Sequence, residues 1–156
     1  MIAVNRAAAA VVAVAAFAAA IAAPAVAAPR PDGLWRITSD RDGKPLAMIR
    51  VQTVAGGQLS GVLTASLRGD NPNRVCDKCS GAKHNQRIVG MQVMWGLKPD
   101  PSNPMKYAGG SILDPDSGSV YGAEVTESAD GQTLNVHGFL GISLIGRTQT
   151  WRRAGS

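Results

Sequence analysis

Two cysteines, Cys76 and Cys79, have the most distinctive spacing in this sequence, and the chain contains no others. A C-x-x-C pair can form a local disulfide, act as a redox dithiol or supply two ligands to a zinc ion. A redox dithiol normally has its first cysteine at a helix N-terminus in a βαβ unit, whereas the residues around this pair indicate loops and strands. Covalent haem attachment is excluded because Ser80 stands where that motif requires histidine. The spacing therefore predicts a disulfide that staples a loop.

Zinc binding is the other possibility for this region. His84 is near enough in sequence to be a third ligand, and Asp77 or His137 could supply a fourth. A structural zinc site normally has four Cys or His ligands, and two cysteines with two well-separated histidines are a poor match. We expect His84 in a solvated loop and His137 on the outward face of a strand, with no metal and no cofactor bound.

The sequence carries no recognisable catalytic motif. It has no Ser-His-acid order, no nucleophile elbow and no phosphate-cradling glycine loop. Asp114 and Asp116 flank a turn proline, and turn formation accounts for both carboxylates. We expect no catalytic residues and a protein that is not an enzyme.

The N-terminal residues predict a secretory signal peptide. Arg6 is the only early charge, residues 7–23 are almost entirely Ala, Val, Ile and Phe, and Pro24 ends that run. Small residues then precede a cleavage site near Ala27 or Ala28. The alternative is a transmembrane anchor, but an alanine-dominated stretch of this length is weakly hydrophobic for spanning a bilayer.

Cleavage would leave one domain over residues 29–156, exported to the periplasm or secreted, with no membrane span. The formal net charge of +5 falls to +4 when Arg6 is removed. A basic protein of this kind favours loose contact with anionic envelope polymers or lipid head groups. Nucleic-acid binding would need a basic stripe with stacking aromatics, and neither is present.

Beyond the leader, short segments alternate apolar with polar or small residues, and Gly, Pro, Asp and Asn clusters separate them. This rhythm predicts eight strands, over residues 34–38, 46–54, 58–67, 88–97, 107–113, 119–127, 133–139 and 142–152. A polar stretch over 68–87 is expected to be an ordered insertion loop. Tight connections between sequential strands favour an all-β, eight-stranded antiparallel up-and-down barrel, with an open sandwich as the alternative. Glycines within the strands favour closure, because they ease sharp coiling: Gly61, Gly90, Gly109, Gly110, Gly122, Gly138 and Gly146.

From Pro31 to Arg153 the chain resembles an exported bacterial family known as domain of unknown function 2147. The matching segments are Gly33-Leu34-Trp35, Cys76-Asp77-Lys78-Cys79-Ser80-Gly81, Gly90-Met91, Gly109-Gly110-Ser111-Ile112-Leu113-Asp114-Pro115 with Gly118 and Tyr121, and Gly146-Arg147-Thr148-Gln149-Thr150-Trp151. The resemblance implies a lipocalin-like (calycin-like) barrel with a cavity suited to a hydrophobic small molecule, and no established activity.

The same resemblance implies a structural closure at one end of the barrel. Gly33-x-Trp35, with Arg152 or Arg153 in the last strand, is similar to the calycin signature in which a basic side chain covers a buried tryptophan. We assign this closure to Gly33, Trp35, Trp151 and Arg152.

Five residues are predicted to line the cavity: Trp35, Met91, Val93, Trp95 and Tyr121. For any one of them, ordinary core packing is the alternative. Arg147 shares its strand face with Gln149 and Trp151. If that face points inward, the guanidinium needs a carboxylate or a ligand head group, and if it points outward Arg147 is a solvated charge.

The preferred hypothesis is an exported envelope protein whose barrel binds a small hydrophobic or amphipathic molecule, such as a lipid. The alternative is a structural or protein-interaction module that uses its basic exterior and stapled loop to contact another envelope component. A thiol oxidoreductase is the least favoured hypothesis, because the cysteine pair lies in an all-β context.

Overall fold

The computed structural model describes residues 30–142 and 146–156, so the predicted signal peptide lies outside the described residues. Eight strands form the fold: β1 Gly33–Thr38, β2 Pro45–Thr53, β3 Leu59–Ser66, β4 Gln92–Asp100, β5 Asn103–Asp114, β6 Ser119–Glu127, β7 Thr133–Phe139 and β8 Gly146–Gly155. Two short 3-10 turns are also present, at Ala55–Gly57 and Gly81–Lys83. Within the described ranges, no helix has the length and apolarity needed to cross a membrane.

The strands pair in sequence order into one closed antiparallel barrel, which confirms the predicted fold class. Closure is made by β1 and β8, where Trp35 pairs with Arg153 and Arg36 pairs with Arg152. Because every strand has two neighbours, the sheet leaves no free edge. The long loop over residues 67–91, named here the stapled loop, joins β3 to β4.

The fourth strand departs from the predicted alternation. It begins at Gln92 rather than at residue 88, and its pairing with β3 shifts register twice. Gly61 pairs with Met94 and Val62 with Gln92, so Val93 is an extra residue on β4, and Val93 and Met94 are both buried toward the interior. Trp95 follows Met94 and points the other way. The prediction that Trp95 faces the interior is wrong, because a register shift exchanges the two faces of a strand.

The interior is apolar. Its fully buried side chains come from strands all around the barrel: Trp35, Val51, Leu59, Met94, Leu97, Val125, Leu134 and Trp151. Gly61 gives Met94 its space, since a Cβ at Gly61 would lie 3.0 Å from the Cβ of Met94. Alternation along the strands thus places one continuous core inside the barrel.

One end of the barrel is sealed around Trp35, and we call it the closed end. The indole Nε1 of Trp35 donates to the carbonyl of Pro31 at 2.8 Å. The guanidinium of Arg153 lies over the indole, 4.3 Å from the ring centroid. Arg152 is exposed. The closure assigned to Arg152 is therefore made by Arg153, because neighbouring residues on a strand point to opposite faces.

Arg153 is also the hydrogen-bonding hub of this end. Its guanidinium donates to the backbone carbonyls of Arg30, Asp32 and Gly131. It also donates to Glu127 Oε1 at 3.0 Å, and the Glu127 side chain is only 1% exposed. Burial raises the pKa of Glu127, and the charge and hydrogen bond of Arg153 oppose that rise.

Replacing Arg153 should therefore destabilise the barrel strongly. Arg153→Met leaves the Glu127 carboxylate buried without its cation, and such losses cost about 3–5 kcal/mol in the free energy of unfolding. Urea unfolding would measure this loss, with Arg152→Met as the matched control and an expected change of roughly 0.5 kcal/mol or less.

The deficit should also depend on pH. Without Arg153, the raised pKa of Glu127 means that folding favours the protonated acid, so stability is lost as pH rises through that pKa. The deficit of Arg153→Met should shrink in acid and in the double variant with Glu127→Gln. The ion pair of Arg153 and Glu127 would be contradicted if Arg152→Met lost as much stability as Arg153→Met. It would also be contradicted if Glu127→Gln left the loss in Arg153→Met unchanged.

Candidate functional site

A cavity of about 890 Å³ occupies the other end of the barrel, which we call the open end. Its walls are apolar and come from most of the strands and from the stapled loop: Ile37, Leu46, Ala47, Ile49, Leu63, Ile88, Val89, Val93, Ile112, Leu113, Tyr121, Val136, Phe139, Leu140 and Trp151. Gly138 adds to the space because it contributes no side chain to the wall. A volume in this range is typical of sites that hold one small molecule.

The mouth of the cavity is charged. Its polar lining consists of Ser39, Arg41, Ser66, Arg68, Asp70, Asn71, Arg74, Asp114, Asp116, Arg147 and Gln149. Arg147 binds Asp40 through two nitrogens, Nε at 2.8 Å and Nη2 at 2.6 Å from Oδ2. Apolar walls beneath a charged mouth suit a molecule with an apolar body and a polar end.

The stapled loop forms one side of the mouth, and a disulfide between Cys76 and Cys79 holds it. Both cysteines are buried, so the bond is shielded from solvent thiols. Because the two sulfurs are bonded to each other, neither is a thiolate ligand for zinc. A buried bond in a loop is the structural disulfide that the spacing predicted.

The loop docks on the β5–β6 turn, residues 114–118. Lys78 Nζ donates to the carbonyl of Asp116 at 3.2 Å. Gly118 has φ +72°, and a Cβ at that position would lie 2.1 Å from the carbonyl oxygen of Lys78. Glycine at 118 thus allows the two backbones to meet, which no other residue would permit.

Two arginines of the stapled loop hold the carboxylate of Asp116. Arg68 Nη1 lies 2.6 Å from Oδ2, and Arg74 hydrogen-bonds Oδ1 and also pairs with Asp70. Partial burial raises the pKa of Asp116, but the hydrogen bonds and charges of the two arginines outweigh burial and leave the pKa below its ordinary value. This ion-pair cluster fixes the mouth on the stapled-loop side.

Trp151 closes the inner part of the cavity wall. Its side chain is fully buried, and within the described residues its indole Nε1 has no hydrogen-bond acceptor. A buried donor without a partner carries a penalty of about 1–3 kcal/mol. This is a polar atom in an otherwise apolar part of the wall.

Of the five residues assigned to the cavity from sequence, Val93 and Tyr121 belong to its lining, and so does Arg147, for which the sequence left the inward and outward faces open. Arg147 lies at the mouth, half exposed, with Asp40 as its carboxylate partner. Trp35 belongs to the closed end instead, and Met91 is fully buried where the stapled loop rejoins β3, its carbonyl accepting from Leu63 N–H. These two predicted positions lie outside the cavity lining.

Trp95 lies on the outer surface of the barrel, covered by the stapled loop. Lys83 Nζ is 5.1 Å from its ring centroid and also donates to the carbonyl of Gln92. Burial lowers the pKa of Lys83. Trp95 therefore anchors the loop from outside and does not line the cavity.

The two histidines lie apart from each other. His84 is exposed, with Nδ1 3.0 Å from the carbonyl oxygen of Cys79, and His137 lies on the outer face, with Nδ1 2.9 Å from Thr148 Oγ1. Within residues 30–142 and 146–156, no group of three potential metal ligands comes together.

Sequence reasoning missed the ion-pair cluster of Arg68, Arg74 and Asp116. It explained Asp114 and Asp116 alike by turn formation, which holds for Asp114, whose carboxylate accepts from Asp116 N–H and Ser117 Oγ. The signal available was the density of Arg and Asp in the polar stretch that follows β3. Which of these charges meet depends on how the loop folds back, and spacing does not reveal that.

Comparisons with known proteins agree with this architecture. A family model described as an uncharacterized protein conserved in bacteria, domain of unknown function 2147, matches residues 33–153. Protein HP1028 from Helicobacter pylori, which belongs to the lipocalin family, has a similar solved structure, with a TM-score of 0.69 and 16% sequence identity over 81% of this chain and 84% of that one. At this identity the similarity concerns the fold alone. No curated protein matches the chain.

Adding one methyl group at position 118, by substitution with alanine, tests the close approach of the two backbones. Gly118→Ala should destabilise the protein by about 1–3 kcal/mol more than Gly43→Ala, because both positions have positive φ but only Gly118 faces another backbone. Chemical denaturation of both variants would measure the difference. Equal losses would show that the stapled loop does not rest on this turn.

The ion-pair cluster predicts an acid-sensitive mouth. Ionised Asp116 stabilises the fold above its ordinary pKa of 3.8, and that stability is lost as pH falls through the lower folded value. Asp116→Asn should therefore lower the free energy of unfolding at pH 7, by about 1 kcal/mol or less for so exposed a group, and the gap to wild type should narrow as pH falls below 3.8. Thermal melts at pH 7 and at a series of acidic pH values measure it, with exposed Asp77→Asn as control. A gap that does not narrow in acid contradicts the assignment.

Proposed function

Because the chain belongs to the bacterial family domain of unknown function 2147 and folds as a lipocalin-like barrel, we propose that it is an exported carrier that binds a small amphipathic molecule in its cavity. The apolar part of the ligand occupies the barrel, and its polar end lies at the mouth. The observation that carries this proposal is the cavity itself, about 890 Å³ with apolar walls beneath a charged mouth.

The arrangement of side chains supports an amphipathic ligand over a purely apolar one. The deep wall is built from aliphatic and aromatic groups such as Ile49, Val136 and Trp151, which favour burial of hydrocarbon. Arg41 at the mouth is exposed to solvent, and Arg147, paired with Asp40, is also exposed there. A ligand with an anionic or strongly polar end would keep that end hydrated beside these arginines.

The carboxylates at the mouth favour binding over catalysis, because each of them already takes part in an ion pair or a turn. Asp116 is held by Arg68 and Arg74, Asp40 is held by Arg147, and Asp114 closes a turn. These carboxylates serve ion pairs and turn geometry at the mouth. Each therefore has a structural role that explains its presence.

Export is the second part of the proposal. A buried disulfide between cysteines three positions apart is stable in an oxidising compartment such as the periplasm, and disulfides are rare in the cytosol. The leader-like residues 1–28 predict the same destination. Mass measurement of the protein recovered from its native host would test this part, with a mature N-terminus near Pro29 expected.

The cavity can be filled from inside to test binding. A Cβ at Gly138 would make ordinary contacts, 3.6 Å from Ile112 Cγ2 and 3.8 Å from Tyr121 Cβ, so Gly138→Leu should fold and project its side chain into the cavity. With the fluorescent fatty acid 11-(dansylamino)undecanoic acid as probe, we expect saturable binding to wild type and roughly tenfold weaker binding to Gly138→Leu, equivalent to about 1.4 kcal/mol.

The matched control places the same side chain on the outer face. Asn135 is exposed on the same strand, and Asn135→Leu should leave probe affinity unchanged. Native mass spectrometry of the wild-type protein, purified without denaturant, would show whether a ligand is retained from the host. Absence of saturable probe binding, together with equal behaviour of the two leucine variants, would refute the carrier proposal.

A further inference from the structure

The exposed apolar side chains of this protein are concentrated at the open end. Within the described residues, six large hydrophobic side chains are exposed: Val54, Leu67, Val75, Val120, Leu140 and Ile142. Val54 lies in the β2–β3 connection on the side of the closed end. The other five lie in the stapled loop, at the start of β6 or in the β7–β8 connection, all at the open end.

The two most exposed of these residues flank the mouth. Leu140 is 66% exposed and Ile142 is 60% exposed, and both follow the end of β7. Leu140 also belongs to the cavity lining, so the apolar wall continues outward onto the surface at this point. Exposed apolar side chains grouped beside a cavity are a feature of protein and membrane interaction sites.

The charges around the mouth indicate which partner would fit. The loops of the open end, residues 39–44, 67–91, 114–118 and 140–142, together with Arg147 near the start of β8, carry eight basic and six acidic side chains. The excess is concentrated in the stapled loop, which has five basic and two acidic residues. Arg41 and Arg87 are exposed within these loops. Exposed apolar groups beside cations are the pattern of proteins that lie on anionic bilayers.

We propose that the open end docks on an anionic lipid bilayer, with Leu140 and Ile142 inserted among the acyl chains and the basic side chains of the loops at the head groups. In this orientation the mouth faces the membrane, so an apolar molecule passes between bilayer and cavity without crossing water. The proposal goes beyond ligand binding, since docking requires only the outer surface of the open end and not a filled cavity.

Vesicle sedimentation with the full disulfide-bonded chain tests the proposal. Wild type should bind vesicles of phosphatidylcholine and phosphatidylglycerol at 7:3 more strongly than vesicles of phosphatidylcholine alone, and added salt should weaken the difference. Ile142→Asp should reduce binding at least tenfold. Val54→Asp places the same charge on an exposed apolar residue at the opposite end and should bind like wild type.

A gain-of-function variant guards against simple misfolding. Ile142→Trp should strengthen vesicle binding and shift its added tryptophan emission to the blue in the presence of phosphatidylglycerol vesicles. The proposal is overturned if wild type binds neither vesicle, as expected for a surface that receives a protein, or if Ile142→Asp and Val54→Asp lose binding equally.

The same variants separate this proposal from the carrier function. Ile142 is not part of the cavity lining, so Ile142→Asp should bind 11-(dansylamino)undecanoic acid in vesicle-free buffer as wild type does. Conversely, Gly138→Leu should lose affinity for this probe and still bind vesicles. Loss of vesicle binding in Gly138→Leu would mean that vesicle sedimentation reports lipid entering the cavity, and docking through the outer surface would be refuted.

Discussion

The contact between Arg153 and Trp35 lies at the seam where the first and last strands meet, and the enclosed interior depends on that seam. Trp35 and Arg153 are paired residues of β1 and β8, and the guanidinium also reaches the backbone before β1, the β6–β7 turn and Glu127. One side chain therefore ties the two ends of the described chain to the middle of the sheet. Stacking a cation on an aromatic ring strengthens as the pair is withdrawn from water, and this indole is fully buried.

Because one end of the barrel is sealed, its cavity opens at the other end. At the closed end the large side chains of Trp35, Leu59 and Leu97 are fully buried. Toward the open end the wall contains Gly138, and the loops that rise around the mouth hold one another through Asp116 and Gly118. Ion pairs and backbone contacts thus hold the loops around the rim of the cavity in place.

The stapled loop shows how a polar insertion can serve an apolar site. Its disulfide restricts the conformations that the loop can adopt. Lys83 of the loop contacts the ring of Trp95 on the outside of the barrel. The same loop presents its hydrophobic residues Ile88 and Val89 to the cavity and most of its charges to solvent. The proposed exchange of cargo at a bilayer would use both properties, since one surface would receive hydrocarbon and the other would remain hydrated.

The sequence by itself determined the strand order, the antiparallel pairing and the disulfide. Period-two alternation and turn residues act over a few positions, and two lone cysteines leave a single possible pairing. Only the tertiary structure decided that Arg153 rather than Arg152 covers Trp35, that Trp95 faces outward, and that Arg68 and Arg74 meet Asp116. Each of these outcomes depends on the register between strands or on where a long loop returns, and both are settled by packing between residues far apart in the chain.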